Sequence, residues 1–422
     1  MTGWAAWVIY SAAGSKMAGK TLLLRTANRQ IRWIARKTRS VLCSAVLEAG
    51  NLRRWILRAL AGAGVLVAGA AGGLATLLMY PSLLARENLT VVSWGDAYQQ
   101  AQTIAFFHPF SDRTGIDLDG TIYGGGIGEI ISQVESGEVL WDVVDFDLGD
   151  AVTACREGLL ETIDPSMLPA GANGENAEND FVPGALGPCW AGTVVYSQII
   201  AYAPSRTNAP PNSAADFFDL ENFPGMRALR DAGPEYNLPL ALFADGAGPS
   251  EIYPLLKTEQ GIARAFAKLE TIKDSVLWWR RPNEPIEMLA GGEIIMTTAL
   301  NGRAFDAQNA NADIATLWDG QVYGLDVFGI PKGTPARERA IEFVIFASSP
   351  APLAEISSRL PYGPARLSAS ALVGPNPITG QTMREHLPTA PENFQNALLI
   401  DPEWWAENGA PLRARWDAWR AE

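Results

Sequence analysis

A chain of 422 residues is longer than one hydrophobic core usually serves, so its length predicts two α/β lobes once any targeting segment is removed. Its charges are unevenly placed: residues 1–87 contain 12 of the 33 Lys and Arg, but only Glu48 and Glu87 among the 46 Asp and Glu. The remainder is strongly acidic, which argues against nucleic acid as a partner because phosphate binding needs clustered Lys and Arg.

Residues 1–87 are predicted to be a targeting region. Arg53 and Arg54 begin a basic segment, and residues 59–79 form an uncharged stretch rich in Ala, Gly, Leu and Val. Paired arginines ahead of an apolar stretch resemble a twin-arginine export signal. Export by such a signal would place the acidic remainder in the periplasm.

The end of this region and its true beginning are both left open by the sequence. Small-residue cleavage sites follow Ala75 and Ala85, and the second is preferred. Residues 59–79 are also long enough to span a bilayer, so an uncleaved membrane anchor is the alternative. The long stretch ahead of the basic segment is unusual for a signal, and a translation start at Val41 or Val46 would explain it.

The cysteine content is consistent with an exported protein. Cys43 lies in the targeting region, which leaves Cys155 and Cys189 as the pair in the remainder. Their spacing fits no metal motif, and His108 and His386 are the only histidines. In an oxidising compartment the pair predicts one disulfide. Neither a metal nor a cofactor is predicted.

Strands and helices alternate after the targeting region. Short β-branched runs predict strands, and the stretches between them have helical periodicity. The strands are predicted at 89–94, 117–123, 141–146, 194–203, 293–298 and 322–330, and the helices at 98–110, 129–134, 155–160, 214–220, 262–272 and 337–347. The first three repeats predict a parallel sheet with helices on both faces and a ligand beyond the carboxyl ends of its strands. Trp94, residues 124–128 and Asp147 are expected at that rim.

Residues 124–128 form a glycine-rich turn between a strand and a helix. The spacing is not GxGxxG, and no Lys-Ser or Lys-Thr follows it as a P-loop requires. A tight turn whose amides face a cleft is therefore favoured over a phosphate-binding loop.

Several different short motifs lie in and between these elements. The order in which they follow one another along the chain is more specific than any single motif. The motifs are Ser93-Trp94-Gly95-Asp96-Ala97-Tyr98, Trp141-Asp142-Val143-Val144, Arg156-Glu157-Gly158-Leu159-Leu160, Asp216-Phe217-Phe218, Leu300-Asn301-Gly302-Arg303, Gly329-Ile330-Pro331-Lys332-Gly333, Pro361-Tyr362-Gly363-Pro364 and Asp401-Pro402-Glu403-Trp404-Trp405. In this order they resemble the extracellular solute-binding proteins of bacterial ABC importers, of the spermidine/putrescine-binding type.

The resemblance implies a periplasmic-binding-protein-like α/β fold, in which two α/β lobes are joined by crossing strands and enclose a ligand cleft. Lobe 1 would comprise residues 88–191 and 302–322, and lobe 2 residues 192–301 and 323–422 with the C-terminal tail. Crossings are expected near residues 192–196, 300–302 and 323–327, and residues from them would line the cleft. Bound ligand would favour the closed form because it touches both lobes.

The function implied is capture of a polyamine such as putrescine or spermidine in the periplasm by a monomer that performs no chemistry on it. Its partners would be this small amine-bearing ligand and the ABC permease with its ATPase in the inner membrane. A receptor for a zwitterionic amino acid, such as a γ-amino acid, is the alternative. A secreted hydrolase is a second alternative, which is disfavoured because the sequence has no G-x-S-x-G motif and such folds carry no paired catalytic acids.

Aromatic faces and acceptor oxygens bind an ammonium group. The resemblance assigns the aromatic role to Trp94 and Tyr98, although Trp94 could instead be a core residue that caps the first strand. Asp96 and Asp147 follow the first and third strands, either as ligand contacts or as solvated loop acids.

The resemblance places two further contacts in the second lobe. Glu235 lies near the family's acidic region, with Asp231 as its competitor. Trp278 and Trp279 lie where the family supplies a stacking aromatic residue. Adjacent strand residues point to opposite sides, so only one of the two can face the cleft; Trp278 is taken as the candidate, and the choice between them stays open.

The expected crossings supply the remaining candidates: Asn301, Arg303, Tyr323 and Asp326. Asp326 would pair with an amine, or else it is a buried acid that caps the hinge. Arg303 suits bidentate binding of a carboxylate, which keeps a zwitterionic ligand open. It would instead be structural if it paired with Asp306 or Asp326.

Overall fold

The computed structural model of the protein describes residues 88–422. The predicted targeting region, with its basic segment, apolar stretch and cleavage sites, lies outside the described residues. Within residues 88–422 one mixed sheet contains eleven strands, and the chain also forms fourteen α-helices.

The strands alternate with helices along most of this length. The strands are β1 (Asn88–Ser93), β2 (Asp117–Ile122), β3 (Val143–Asp147), β4 (Leu186–Gly187), β5 (Trp190–Tyr202), β6 (Arg227–Arg230), β7 (Val276–Trp279), β8 (Met296–Leu300), β9 (Ala315–Gly329), β10 (Gly363–Pro364) and β11 (Ala397–Leu399). The helices are α1 (Asp96–Gln102), α2 (His108–Thr114), α3 (Gly128–Ser136), α4 (Leu148–Arg156), α5 (Ala177–Asp180), α6 (Ala214–Phe218), α7 (Pro234–Ala244), α8 (Pro249–Leu256), α9 (Glu259–Glu270), α10 (Glu284–Gly291), α11 (Asn301–Asn309), α12 (Arg337–Ala347), α13 (Pro350–Ser357) and α14 (Pro402–Ala421). Over this part of the chain no single helix is long and apolar enough to cross a membrane, although the bent pair α12 and α13 would pass by length and composition.

The sheet has two parallel groups with an antiparallel centre. Its strand order is β2-β1-β3-β9-β5-β8-β6-β7, with β4 and β10 paired to β5 and β11 paired to β9. Strands β1, β2 and β3 run parallel, and so do β6, β7 and β8. The long strands β5 and β9 run antiparallel to each other and to their neighbours β3 and β8. The predicted parallel sheet therefore describes the two ends of the observed one.

Strands β1 and β3 have the composition of fully buried strands. Val91, Val92, Val143 and Val144 are completely buried, and β-branched side chains suit a pleated, packed surface. After β1 a continuous helix runs through α1, a π-helical turn and α2. It ends at Gly115, which takes the left-handed conformation (φ 78°) that a helix end favours. The helix predicted at 98–110 is thus confirmed and is longer at both ends.

Buried side chains form separate clusters in the two halves of the sheet. The first cluster draws on residues 89–195 and 323–369. The other two draw on residues 199–314 and 398–416. Buried residues of 302–322 therefore pack with those of 199–301, and buried residues of 323–369 pack with those of 89–195, because β5 and β9 each pass from one half of the sheet to the other. The division into two lobes stays a prediction.

Three stretches of chain connect the clusters. Strands β5 and β9 are two of them, in agreement with two of the expected crossings. The third stretch is β11 and the residues after it, where Leu398 joins the second cluster. Ala299 and Ala304, which flank the crossing expected at 300–302, share one cluster. The chain therefore turns into α11 at that point and does not cross.

A disulfide joins Cys155, in the last turn of α4, to Cys189, directly before β5. The two Cα atoms are 5.8 Å apart. The predicted pairing is therefore confirmed, and it fastens α4 to a central strand of the sheet.

Candidate ligand-binding site

A cavity of about 300 Å³ lies at the carboxyl ends of β1 and β3, beside the long strands β5 and β9. Its volume is typical of small-molecule sites. The lining residues are Trp94, Tyr98, Asp147, Tyr196, Leu300, Asn301, Gly302, Arg303, Asp326 and Tyr362. The structure therefore brings together six of the predicted contacts, namely Trp94, Tyr98, Asp147, Asn301, Arg303 and Asp326.

Trp94 forms the wall of the cavity next to β1. Its ring lies 5.0 Å from that of Tyr123, measured between centroids. A Cβ atom added to Gly125, which has a φ of 82°, would come within 3.1 Å of the Trp94 ring. Glycine thus allows the glycine-rich turn to pass close against the indole. The amide of Gly126 donates to Asp150 Oδ2 at 2.7 Å, so this amide is used within the protein and is not free for a phosphate.

Tyr98 and Tyr362 form a second aromatic wall. Their rings meet edge to face with centroids 6.1 Å apart. Tyr362 packs on the first turn of α11, where a Cβ on Gly302 would lie 3.2 Å from the tyrosine oxygen. Burial raises the pKa of Tyr98 and Tyr196 well above the ordinary value, so both hydroxyls stay protonated and can donate. Together with Trp94 these side chains offer the aromatic faces that suit an ammonium group.

Three carboxylates lie on neighbouring strands beside the cavity. Asp145 and Asp147 share one face of β3 because strand residues two apart point to the same side. Asp326 on β9 is paired directly with Asp147. Asp147 accepts hydrogen bonds from the Tyr196 hydroxyl at 2.6 Å and from the Gly149 amide at 3.0 Å. Because like charges directly opposite one another are destabilising, this arrangement favours a cation beside them.

The burial of these acids strengthens that preference. Burial raises the pKa of the Asp145 carboxyl to about 7, and hydrogen bonds from neighbouring polar side chains offset only part of the effect. Burial also raises the pKa of Asp326 well above its usual range, and the negative charges of Asp145 and Asp147 add to it. A bound ammonium group would favour the ionised form of both carboxyls.

The first turn of α11 lines another side of the cavity. It contains Asn301, Gly302 and Arg303, and no side chain caps it. The amides of such a turn carry partial positive charge and attract anions. Arg303 is 38% exposed and lies 3.6 Å from Asp306. The predicted pairing with Asp306 is therefore present, yet Arg303 still reaches the cavity. A ligand carboxylate would meet both a guanidinium group and a helix N-terminus here.

Asn301 lines the cavity, but its side chain is engaged elsewhere. Its Nδ2 donates to the Pro361 carbonyl at 2.5 Å, and its Oδ1 accepts from the Ser197 amide at 2.9 Å. The side chain thus fastens the start of α11 to β5 and to the segment that carries Tyr362. We assign Asn301 a positioning role in place of the predicted ligand contact.

A second cavity of about 330 Å³ shares Asp147 and Tyr196 with the first. Glu235 lines this second cavity, where Arg413 of α14 is paired with it at 2.6 Å. The lining of the first cavity does not include Glu235. Its competitor Asp231 is paired with Arg280. Glu235, which the sequence predicts to be a ligand contact, therefore lines the second cavity and not the first.

Neither of the adjacent tryptophans in β7 reaches either cavity. Trp278 packs against Trp416, with the Arg420 guanidinium 3.6 Å from its ring centroid. Trp279 is 1% exposed, and its indole N–H donates to Thr298 at 3.3 Å. In this structure Trp278 is a packing residue, because α14 covers its side of the strand, and its ligand contact stays a prediction that the cavity does not support.

Tyr323 and Asp96 also lie outside the lining of both cavities. Tyr323 is 2% exposed and packs against Phe394, with ring centroids 5.1 Å apart. Asp96 lies at the start of α1, where it is exposed and lines neither cavity. Alternation along β9 explains the first case, since Tyr323 and Asp326 differ by an odd number of residues and point to opposite faces.

Sequence reasoning did not single out Tyr196, Tyr362 and Asp145. Tyr196 lies in an expected crossing, and Tyr362 lies in one of the family motifs. The sequence therefore contained information that could have placed both of them near the cleft. Asp145 lies inside a strand where two valines precede it. A buried acid at that position can be recognised from its sequence only if its partners are known.

The fold and the cavity have the form of a receptor, with a space of small-molecule size beside strands that pass between the two halves of the sheet. A family profile described as bacterial extracellular solute-binding protein matches residues 105–383. The chain belongs to this family, which is one of solute-binding proteins and not of enzymes. The predicted periplasmic-binding-protein-like fold is thereby confirmed.

Particular relatives share most of their length with the chain. The γ-aminobutyric acid-binding protein of Pseudomonas aeruginosa is 37% identical over 335 residues, which is 79% of this chain and 91% of that protein. The solved Atu4243-GABA receptor is 28% identical with a TM-score of 0.63, covering 80% of this chain and 98% of its own. AgtB of Agrobacterium tumefaciens R10, solved with agropinic acid, is 27% identical with a TM-score of 0.57, covering 80% and 99%.

These relatives confirm the broader resemblance to solute-binding proteins of ABC importers. They do not confirm the narrower spermidine/putrescine type.

Proposed function

We propose that this protein is the substrate-binding subunit of an ABC importer and that it captures a small zwitterionic γ-amino acid of the γ-aminobutyrate type. It acts outside the inner membrane, after export, and delivers the ligand to a permease and its ATPase. The bound molecule carries an ammonium group and a carboxylate at opposite ends of a short chain. No bond in the ligand is made or broken.

One observation carries the proposal: a single cavity combines carboxylates and aromatic faces with an arginine at a helix N-terminus. The ammonium end is bound beside Asp147 and Asp326 and against the ring of Trp94. The carboxylate end is bound by Arg303 and the first turn of α11. A polyamine has cations at both ends and would leave Arg303 facing a like charge, which disfavours it.

The relatives support the same choice. Two of them are named for γ-aminobutyrate, and one of these is more than one third identical over most of this chain. The polyamine of the sequence-based interpretation is accordingly the weaker candidate.

Trp94 provides the test of the site. We expect γ-aminobutyrate to raise the melting temperature of the purified protein, because a ligand that binds only the folded state stabilises it by mass action. Trp94→Ala should abolish most of that shift. Trp419→Ala is the matched control, since Trp419 packs against Trp416 and Phe266 away from the cavity. Equal shifts in all three proteins would show that the ligand binds elsewhere.

A further inference from the structure

The second cavity adjoins the proposed ligand site along one hydrogen bond. Asp147 and Tyr196 line both cavities, and the Tyr196 hydroxyl donates to Asp147 Oδ2 at 2.6 Å. This bond crosses over β9, which lies between β3 and β5 in the sheet. Residues of β9 line the space on both sides of it: Gly324 and Leu325 line the second cavity, and Asp326 lines the first. The two cavities are therefore neighbouring compartments of one space.

The second cavity has charged groups of its own. Glu235, in the first turn of α7, accepts a hydrogen bond through Oε1 from Arg413 of α14 at 2.6 Å. The other carboxylate oxygen, Oε2, is buried and has no hydrogen-bond partner in residues 88–422. Leu148, Ile400 and Trp405 add a largely apolar wall. A volume of about 330 Å³ thus combines apolar surface with a paired acid and base.

The position of Asp147 decides which end of a ligand can extend into the second cavity. In the proposed function the ammonium group is bound beside Asp147, and the carboxylate is bound by Arg303 and the first turn of α11. Asp147 lines the second cavity, whereas that lining contains none of residues 301–309 of α11. An extension of the ligand into the second cavity therefore begins at its nitrogen and not at its carboxylate.

Resting on the proposed function, we propose that the second cavity is a subsite for a neutral polar substituent on the nitrogen of the ligand. The ligands of this class are N-substituted γ-amino acids, in which the nitrogen is a secondary ammonium group and the substituent carries a hydroxyl or amide group. The ammonium group takes over the hydrogen bond to Asp147 Oδ2 from the Tyr196 hydroxyl. Asp147 Oδ1 keeps the hydrogen bond that it accepts from the Gly149 amide.

The charges around the second cavity decide the class of the substituent. A second ammonium group would lie beside Arg413, and a second carboxylate would lie beside Glu235 and Asp147, so either would add a contact between like charges. A hydroxyl or amide group can donate to a carboxylate and accept from a guanidinium group without adding a charge. The exchange of donors at Asp147 is favourable because the ammonium group is charged and the tyrosine hydroxyl is not.

Titration calorimetry with three ligands tests the subsite. They are γ-aminobutyrate, N-(3-hydroxypropyl)-γ-aminobutyrate and N-butyl-γ-aminobutyrate, and the two substituents differ only in a terminal hydroxyl or methyl group. We expect the hydroxypropyl derivative to bind within about tenfold of γ-aminobutyrate or more tightly. It should also bind at least about threefold more tightly than the butyl derivative, the effect of one hydrogen bond.

The outcomes of this titration separate the subsite from the proposed function. Binding of γ-aminobutyrate with a loss of more than about tenfold for the hydroxypropyl derivative would overturn the subsite and leave the proposed function intact. Equal affinities of the two derivatives would overturn the polar class of the substituent. No binding of any of the three ligands would overturn the proposed function as well.

Ala406→Leu tests the same subsite in the protein. Ala406 is exposed on α14 and lines the second cavity but not the first, so a larger side chain there would fill that space without altering a buried position. We expect the affinity for the hydroxypropyl derivative, relative to that for γ-aminobutyrate, to fall by at least about tenfold. Ala410→Leu is the matched control, because Ala410 is exposed on the same helix and lies outside both linings. The same ratio of affinities in the two variants would contradict the assignment of the second cavity.

Discussion

At the scale of single residues, the cavity gives each end of a ligand a different chemical environment. Asp145 is buried and Asp147 and Asp326 are half-buried, and Trp94 and Tyr98 add aromatic faces. Arg303 is partly exposed at the first turn of α11. The pairing of Arg303 with Asp306 does not remove it from the site, because a surface pair of this kind contributes little energy and can be exchanged for a ligand carboxylate.

Arg303 should decide between a zwitterion and a diamine. We expect Arg303→Ala to weaken γ-aminobutyrate binding by about 10- to 100-fold, the loss of about 1.5 to 3 kcal/mol typical of a hydrogen bond to a charged group. Binding of putrescine should not weaken, because the removed charge repels it. Fluorescence titration of the tryptophans measures both. Arg337→Ala, which removes the exposed partner of Glu161, is the control. A parallel loss of both ligands in Arg303→Ala would contradict the assigned role.

At the scale of elements, strands β5 and β9 hold the site together because they pass through both halves of the sheet. Tyr196 on β5 pairs with Gly324 on β9, and the ring of Tyr196 lies directly over this glycine. The hydroxyl of this tyrosine donates a hydrogen bond to Asp147. A change at Gly324 is therefore transmitted to the carboxylates through one side chain.

Gly324→Ala tests this coupling. An added Cβ would collide with the Tyr196 ring, so we expect the free energy of unfolding to fall by about 1–3 kcal/mol and ligand affinity to fall with it. Gly374→Ala is the control, since nothing lies within 4 Å of a Cβ there. Urea unfolding and calorimetry measure the two effects. Stability and affinity equal to those of Gly374→Ala would show that Tyr196 is not held in this way.

The parallel ends of the sheet could be predicted from sequence because each strand and helix has a local pattern. The valine runs of β1 and β3 and the glycine after α2 are signals of this kind. The packing of residues 302–369 could not, because it depends on where β5 and β9 pass from one half of the sheet to the other, and no local pattern marks that point. The covering of Trp278 by α14 is likewise a result of tertiary packing, which the local pattern of β7 does not show.

At the scale of the whole molecule, the unliganded protein should be sensitive to pH through Asp145. The pKa of this carboxyl is about 7 in the folded state and near 4 in an unfolded chain. Between these values the folded state binds more protons, so its stability rises as pH falls and is lost as pH rises through 7. We expect the free energy of unfolding to gain up to about 1.4 kcal/mol per pH unit from this group between pH 7 and pH 4.

Comparison with Asp145→Asn reports that contribution together with the effect of the Asp145 charge on the pKa of Asp326. Urea unfolding at pH 5, 6, 7 and 8 without ligand provides the measurement. The stability difference between wild type and variant should move in favour of the wild type as pH falls. A difference that is constant over this range would show that the Asp145 carboxyl does not titrate near pH 7 in the folded protein.

The central claim, that one cavity binds a zwitterion through two unlike ends, is tested most directly by calorimetry at pH 8 with three ligands of matched chain length. γ-Aminobutyrate has both charged ends, putrescine has only ammonium ends, and butyrate has only the carboxylate. The account predicts that γ-aminobutyrate binds at least about 100-fold more tightly than either of the others, since each lacks one charge-assisted contact. Putrescine binding as tightly as γ-aminobutyrate, or more tightly, would contradict it.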